Sequence, residues 1–259
     1  MKHGHFRRAR EGAVGLTAAR VVFGLSAVAF GVVSLVWHDS DLWQHVHAIG
    51  PQAATIVVWC CTFAQVLGGI ALLLPRAARP ASVVLGIVYG LLTLGCVEDI
   101  AQAPASYGSY IDFFELGSLV CGALAACAAT EASATRSLML GRIARIGLGI
   151  CTVSFTIAQI YYFGLTTKLV PTWIPFGQTF WAIVTTVAFA LAAIAILVNV
   201  RARLAVRLMA LMIGLFGVLV WVPLVVAKPG TLFDWSELSL NFLIAGATWL
   251  VAEPTRYAQ

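Results

Sequence analysis

The sequence predicts an all-α, polytopic transmembrane helix bundle with eight spans, arranged as two parallel four-helix repeats. Of its 259 residues, 61% are hydrophobic and only 10% are charged, and the mean hydropathy is +0.93. Soluble domains are about 45–50% apolar and about 25% charged, so this composition excludes an ordinary soluble enzyme. Apolar runs of about 20 residues, each long enough to cross a bilayer core of about 30 Å, recur along the chain. Similar motifs also recur in its two halves.

The first half of the chain is predicted to form one four-helix unit, 18–130. Its apolar runs predict spans at 18–37, 53–74, 80–97 and 111–130. The first span follows a basic segment, 1–17, and is longer than the apolar core of about 7–15 residues in a signal peptide, so we expect it to be retained. A linker, 131–141, separates this unit from the next.

The second half is predicted to form the other unit, 142–253, followed by a short tail, 254–259. Its apolar runs predict spans at 142–164, 180–199, 203–226 and 236–252. Pro223 is expected to kink the seventh span near its end. Five of the six cysteines lie inside apolar runs and none forms a Cys-x-x-Cys pair, so we expect them to be buried apolar side chains.

The charged residues predict how the chain is oriented in the lipid bilayer. An even number of spans places both termini on one side, and the positive-inside rule assigns that side to the cytoplasm. In this orientation 14 of the 16 basic residues lie inside, and only Lys168 and Lys228 lie outside. The net charge of +5 then reflects membrane orientation. No nucleic-acid partner is expected.

Residue matches between the two halves predict an internal repeat. They pair a first-half with a second-half residue: Ala19 with Ala144, Arg20 with Arg145, Gly24 with Gly149, Phe30 with Phe155, Arg79 with Arg203, Asp112 with Asp234, Glu115 with Glu237, and Glu131 with Glu253. Because each unit has four spans, the two units share one orientation. They should therefore be related by a pseudo-twofold axis along the membrane normal.

An Asp-x-x-Glu-Leu motif occurs twice, at Asp112 and Glu115 and again at Asp234 and Glu237. Residues three apart on a helix share a face, so each pair directs its carboxyl groups the same way. Each aspartate could cap a helix N-terminus, where negative charge is favourable. Alternatively, the glutamates lie within the membrane, where a carboxyl group could pass protons or bind a ligand. The two interpretations are compatible.

Amide and aromatic side chains in or near the predicted spans suggest a ligand pocket. The candidates are Gln65, Gln159, Tyr162, Trp173, Trp181 and Asn241. Amides inside spans commonly form hydrogen bonds between helices, and interfacial aromatic side chains commonly act as membrane anchors. The same groups could orient a ligand that carries a carbonyl group, such as a quinone.

The predicted first outer loop contains His38, His45 and His47. Imidazole groups suit zinc or copper(II), but this spacing matches no metal-binding motif. We therefore expect a solvated polar loop and no metal. Phosphate-binding glycine-rich loops, His-Glu-x-x-His motifs and nucleophile elbows are also absent from the sequence.

The second half resembles the DoxX-like family of integral membrane proteins over roughly 142–253. The resemblance is carried by the Ala144–Gly149 segment, the Leu-Val-Pro-Thr-Trp-Ile-Pro loop 169–175, the Phe-Trp-Ala triplet 180–182 and the Phe-Asp-Trp-Ser-Glu-Leu segment 233–238. Many relatives carry histidine where Tyr162 stands, so a ligand role for that histidine does not transfer. The resemblance implies a bacterial inner-membrane protein, and some relatives are membrane subunits of thiosulfate:quinone oxidoreductases.

Three functions fit these features. The first is an accessory redox subunit that presents an outer-leaflet pocket for a quinone or a small apolar ligand, or docks a periplasmic redox protein or another membrane subunit. The second is a proton-coupled transporter or exporter of small solutes, suggested by the repeat and the acidic pairs. The third is a purely structural membrane scaffold. The sequence does not decide whether the protein is an enzyme.

Overall fold

The computed structural model describes residues 2–37 and 51–253, and all regular structure in these ranges is helical. Ten α-helices are present: α1 Lys2–Trp37, α2 Pro51–Leu73, α3 Ala78–Gln102, α4 Tyr107–Thr130, α5 Ala134–Tyr161, α6 Phe163–Leu169, α7 Gln178–Val198, α8 Ala202–Phe216, α9 Val222–Ala227 and α10 Leu232–Ala252. A π-helical segment, Gly217–Trp221, joins α8 to α9 and makes one continuous helix from Ala202 to Ala227. The prediction of an all-α protein is confirmed.

Within the described residues, seven helical stretches are long and apolar enough to cross a membrane, which indicates an integral membrane protein. They are Val14–Trp37, Ala54–Leu73, Ala78–Gln102, Tyr107–Thr130, Ala134–Tyr161, Gln178–Val198 and Ala202–Ala227. Helix α10 was predicted as an eighth span, but it is not among these seven stretches. It carries Asp234, Glu237 and Asn241, which lower its hydropathy. These polar residues are tolerated because α10 packs against α1, α4 and α8, which cover much of its surface.

The long helices contact one another in a closed order. Each of α1, α2, α3, α4, α5, α7, α8 and α10 packs against the next in this series, and α10 packs back against α1. Helices α4 and α10 also contact each other across the middle of the ring. The predicted units 18–130 and 142–253 therefore meet through three pairs of helices: α4 with α5, α10 with α1, and α4 with α10.

Glycine residues bring α10 against the backbones of its neighbours. A Cβ at Gly122 of α4 would lie 2.5 Å from the Cβ of Ala247, and a Cβ at Gly246 would lie 2.7 Å from the backbone nitrogen of Phe23 in α1. Both distances are far shorter than a van der Waals contact. Small residues at such crossings are typical of membrane helices, because close backbone approach increases dispersion contacts.

The Arg-Glu pairs at one end of the bundle occupy similar places in the two halves. Arg79 at the start of α3 pairs with Glu131 after α4 at 2.9 Å, and Arg207 of α8 pairs with Glu253 after α10 at 3.0 Å. We call this end of the bundle the arginine end. It contains the starts of α3, α5 and α8 and the ends of α2, α4, α7 and α10. Asp112 and Asp234, near the starts of α4 and α10, lie toward the opposite end.

The kink predicted at Pro223 lies in a continuous helix, and the π-helical segment ends two residues before this proline. Pro223 has no N–H to donate, so the regular hydrogen-bond ladder is interrupted one turn earlier. The N–H of Val222 donates to the carbonyl of Gly217, five residues back. Single-turn π-helices of this kind often occur at functional sites, because they redirect side chains.

Candidate functional site

A cavity of about 310 Å³ lies in the second half of the chain. Its walls come from α5, α6 and the loop after it, α7, α8 and the segment that joins α8 to α9, and α10. Most of the lining is apolar, including Met212, Phe216 and Trp221. The volume lies at the low end of the range for small-molecule sites, about 300–1,000 Å³. The cavity can therefore hold a compact apolar group.

Two amide side chains enter this apolar cavity. The Gln159 Oε1 accepts hydrogen bonds from the hydroxyls of Thr186 at 2.9 Å and Thr185 at 3.4 Å. Each threonine hydroxyl also reaches a backbone carbonyl of α7, so these contacts hold the Gln159 amide against that helix. The Asn241 Oδ1 is buried and has no hydrogen-bond partner within residues 2–37 and 51–253. A buried polar atom without a partner costs about 1–3 kcal/mol, so this amide is a candidate contact for a ligand.

The π-helical segment shapes the wall beside Asn241. Leu219, Val220 and Trp221 all line the cavity. A Cβ at Gly217, the first residue of the segment, would lie 3.0 Å from the Asn241 Oδ1 and 2.8 Å from the Phe242 ring. Glycine at this position therefore keeps the amide clear of a side-chain contact.

The loop 170–177 closes another side of the cavity. Val170, Pro171 and Ile174 line it. The loop is fastened to the start of α7, because the Trp181 indole N–H donates to the Pro175 carbonyl at 2.7 Å and the Gln178 amide donates to the Val170 carbonyl at 2.5 Å. Trp181 itself lines the cavity, so one aromatic ring both holds the loop and forms part of the wall.

The structure brings three of the six predicted pocket residues together: Gln159, Trp181 and Asn241 line one cavity. The other three lie elsewhere. Gln65 is buried between α1 and α2 and donates to the Ala27 carbonyl at 3.1 Å, which is an interhelical role. Tyr162 follows the end of α5, with its ring packed against Tyr161. Trp173 is 68% exposed on the loop.

Several lining residues were missed by the sequence analysis. Thr185 holds the Gln159 amide, Thr166 lies in the wall, and Leu219 and Val220 come from the π-helical segment. The paired threonines at 185–186 inside an apolar run were a detectable polar signal. Nothing in the apolar residues of the π-helical segment distinguished them from lipid-facing ones.

The two Asp-x-x-Glu-Leu motifs meet where α4 contacts α10. Glu115 interacts electrostatically with Glu237 and with Asp112, so the acidic groups of the two halves are close to each other. The capping interpretation is wrong for Asp112, whereas Asp234 lies in the first turn of α10, where negative charge is favourable. Helix α4 begins after Ser106, five residues before Asp112, and α10 begins after Thr231; neither motif supplies a side-chain cap. The sequence could not locate these helix starts well enough to separate the two interpretations.

Within the described part of the chain, no group of three or more histidine, cysteine, aspartate or glutamate side chains has a metal-binding arrangement. His38, His45 and His47 lie in 38–50, outside the described residues. The polar candidates for chemistry are therefore the amide-lined cavity and the carboxylates between α4 and α10.

Comparison of the chain with protein-family models, with curated proteins and with solved structures gives no match. A function must therefore be inferred from the cavity and the carboxylates themselves.

Proposed function

We propose that this protein binds a small, largely apolar ligand that carries a carbonyl or hydroxyl group, such as a quinone, in the cavity around Gln159 and Asn241. The observation that carries the proposal is the Asn241 side chain, which lines an apolar cavity of about 310 Å³ and whose buried amide oxygen has no partner among the described residues. A ligand hydroxyl would donate to this oxygen, and a ligand carbonyl would accept from an amide NH₂ group.

The rest of the cavity suits the apolar part of such a ligand. Trp181, Phe216 and Trp221 offer aromatic surfaces, and Met212 can adapt its shape to a ring. Small-molecule sites usually have an apolar wall with a few polar groups. The apolar contacts supply affinity, and the polar groups fix the orientation of the ligand.

The role that accords with this pocket is an accessory subunit of a redox system in the bacterial inner membrane. The resemblance of 142–253 to DoxX-like proteins and the arginines gathered at one end support it. With the arginine end in the cytoplasm, the loop 170–177 and the cavity behind it lie toward the periplasmic side, where a redox partner protein could dock.

We also infer that the two halves are repeats related by a twofold axis along the membrane normal. Corresponding residues make corresponding contacts: Arg20 donates to the Leu72 carbonyl near the end of α2, and Arg145 donates to the Ile196 carbonyl near the end of α7. Glu131 and Glu253 are likewise each paired with an arginine. The contact between α4 and α10 would lie on the axis.

Replacing Asn241 with leucine tests the ligand proposal. The substitution keeps the approximate volume but removes the amide, so we expect affinity for a short-chain quinone to fall about tenfold or more, because a buried hydrogen bond is lost. The purified protein in lipid nanodiscs is titrated with the quinone, and binding is followed by quenching of tryptophan fluorescence and by equilibrium dialysis. Gln102→Leu removes an exposed amide from α3, far from the cavity lining, and serves as the matched control.

Equal quinone affinity in the Asn241→Leu and Gln102→Leu proteins would contradict the proposal. Absence of saturable binding in the unaltered protein would also contradict it and would favour the structural scaffold.

A proton-coupled transporter is the second candidate, because Glu115 and Glu237 interact at the contact between α4 and α10. Glu115→Gln combined with Glu237→Gln is expected to abolish solute-dependent proton movement into proteoliposomes, measured with an enclosed pH-sensitive dye. Glu98→Gln is the control, because the Glu98 carboxylate lies at the end of α3 and accepts a hydrogen bond from Gln102. Proton movement that persists in the double variant, or that is absent from the unaltered protein across a broad solute panel, would exclude this function.

A further inference from the structure

A second cavity, of about 380 Å³, lies at the arginine end of the bundle. It is bounded by α5, the end of α7, the start of α8 and the end of α10. Three arginines line it, Arg142 and Arg145 from α5 and Arg203 from α8, and Asn199 adds an amide. It shares no lining residue with the cavity around Gln159 and Asn241.

Among the described residues, two of the three arginines that line this cavity have no anionic partner. Arg142 and Arg203 form no ion pair or side-chain hydrogen bond within residues 2–37 and 51–253. Arg145 uses one Nη1 donor on the Ile196 carbonyl, and a guanidinium has five N–H donors. In the first half, Arg79, the residue that matches Arg203, is already paired with Glu131.

One acidic residue, Glu253, is part of the lining. Its Oε1 accepts from Arg207 at 3.0 Å and from the Trp249 indole at 3.2 Å, whereas its Oε2 is buried and has no hydrogen-bond partner within the described residues. Its Oε2 packs against Gly15 of α1. The cavity is therefore lined by three arginines and one carboxylate, that of Glu253, and this carboxylate is paired with a fourth arginine, Arg207.

The start of α8 adds main-chain donors on the same side. Its N-cap, Arg201, has a left-handed backbone conformation (φ 50°), and no side chain caps the helix. Ala202 and Arg203, the first two residues of α8, line the cavity. The first N–H groups of an uncapped helix have no intrahelical acceptor and carry partial positive charge, which favours an anion.

We propose that this cavity binds a phosphate group, with the headgroup of an anionic phospholipid as its source. Phosphate matches the site because guanidinium groups bind its oxygens through paired, charge-assisted hydrogen bonds. The cavity lies at the ends of the spanning helices, which is the depth of lipid headgroups. Basic pockets between membrane helices bind anionic headgroups in this way. This proposal is independent of ligand binding at Asn241.

The test compares the unaltered protein with an Arg142→Gln/Arg203→Gln variant. Binding of fluorescent phosphatidylglycerol is titrated in detergent micelles, with fluorescent phosphatidylcholine as the neutral lipid. We expect selective binding of phosphatidylglycerol and a loss of about 30-fold in the variant, since each arginine near an anionic lipid contributes about fivefold. Arg76→Gln/Arg136→Gln removes two arginines from the same end but outside the cavity, and it should bind as the unaltered protein does.

Competition with glycerol 3-phosphate identifies the source of the phosphate group. Displacement of the lipid at millimolar concentration assigns recognition to the phosphate alone, so a soluble phosphate compound could occupy the site; resistance to displacement assigns it to the lipid. Equal losses in the cavity variant and the control variant, or equal affinity for the two lipids, would overturn the proposal. If the glutamine variant does not fold, Arg142→Lys/Arg203→Lys retains the charge and should still lose affinity, because lysine cannot form the paired hydrogen bonds.

Discussion

Glu131 is the residue at the arginine end whose environment the structure defines most fully. Its Oε1 accepts from the backbone N–H of Ala132 at 2.9 Å and of Ser133 at 3.3 Å, and its Oε2 pairs with Arg79 at 2.9 Å. The N–H of Ser133 is the main cause that lowers the pKa of Glu131, and the N–H of Ala132 and the charge of Arg79 add to it. These interactions tie the end of α4 to the start of α3 and to the turn before α5.

The lowered pKa of Glu131 predicts how the stability of the fold depends on pH. A group with a depressed folded-state pKa stabilises the fold when it is ionised, so this contribution is complete above the ordinary glutamate value of 4.5 and is lost as the pH falls toward the folded-state pKa. We expect Glu131→Gln to lower the thermal unfolding midpoint in detergent at pH 7 and to weaken the fall of that midpoint below about pH 4.5. An unchanged midpoint and an unchanged pH dependence, compared with Glu98→Gln, would show that the pair contributes nothing.

Individual residues show where sequence reasoning succeeds and where it fails. Gln159, Trp181 and Asn241 were found because polar and aromatic groups are rare in apolar runs. Gln65 was grouped with them for the same reason, yet it serves a helix contact, since a sequence does not tell which amide faces a neighbouring backbone. The aspartates were read as possible caps because a helix start cannot be placed within a few residues from an apolar pattern.

At the scale of the helix, the π-helical segment is the element on which the cavity depends most. The run 203–226 was predicted as a span, and the structure has a continuous helix over Ala202–Ala227. Pro223 indicated a disturbance near its end, but not the extra residue in the turn before it. The first residue of the π-helical segment, Gly217, lies against Asn241 and Phe242 of α10, and no local sequence pattern contains that contact.

Gly217→Ala tests this element. Its methyl group would lie 3.0 Å from the Asn241 Oδ1 and 2.8 Å from the Phe242 ring, so we expect quinone affinity to fall about tenfold as the wall shifts, given a usual overpacking cost of about 1–3 kcal/mol. Gly214→Ala lies one turn earlier, where a Cβ meets nothing within 4 Å, and should leave affinity unchanged. The comparison is made by the same quinone titration. Similar quinone affinities of the two variants would show that the π-helical segment does not affect quinone binding.

At the scale of the whole molecule, composition was enough to predict an all-helical membrane protein. The number of strongly apolar helices differs from the prediction, because α10 is less apolar than the other long helices and packs against α1, α4 and α8. Its polar residues are accommodated by neighbouring helices, and a hydropathy pattern does not show which helix will be enclosed. The order of helix contacts also had to come from the structure.

The orientation is tested by single cysteines at opposite ends of the bundle. Ala134→Cys lies at the arginine end and Gly230→Cys lies in the turn before α10; both positions are exposed. With the arginine end in the cytoplasm, a membrane-impermeant maleimide should label Gly230→Cys in intact cells and label Ala134→Cys only after permeabilisation. Both variants are made in a Cys60→Ser background, because Cys60 is the exposed cysteine among the described residues. The reverse labelling pattern would show that the arginine end faces the periplasm.

The glycine crossings of α10 have a consequence for the order in which the protein is made. Helix α1 is translated before α10, and their contact at Phe23 and Gly246 cannot form until more than 200 residues after Phe23 have been translated. During that interval the faces of α1 and α4 that α10 will cover have no permanent neighbour. The nascent chain therefore holds an incomplete ring in the bilayer, and this ring closes when α10 enters between α1 and α4.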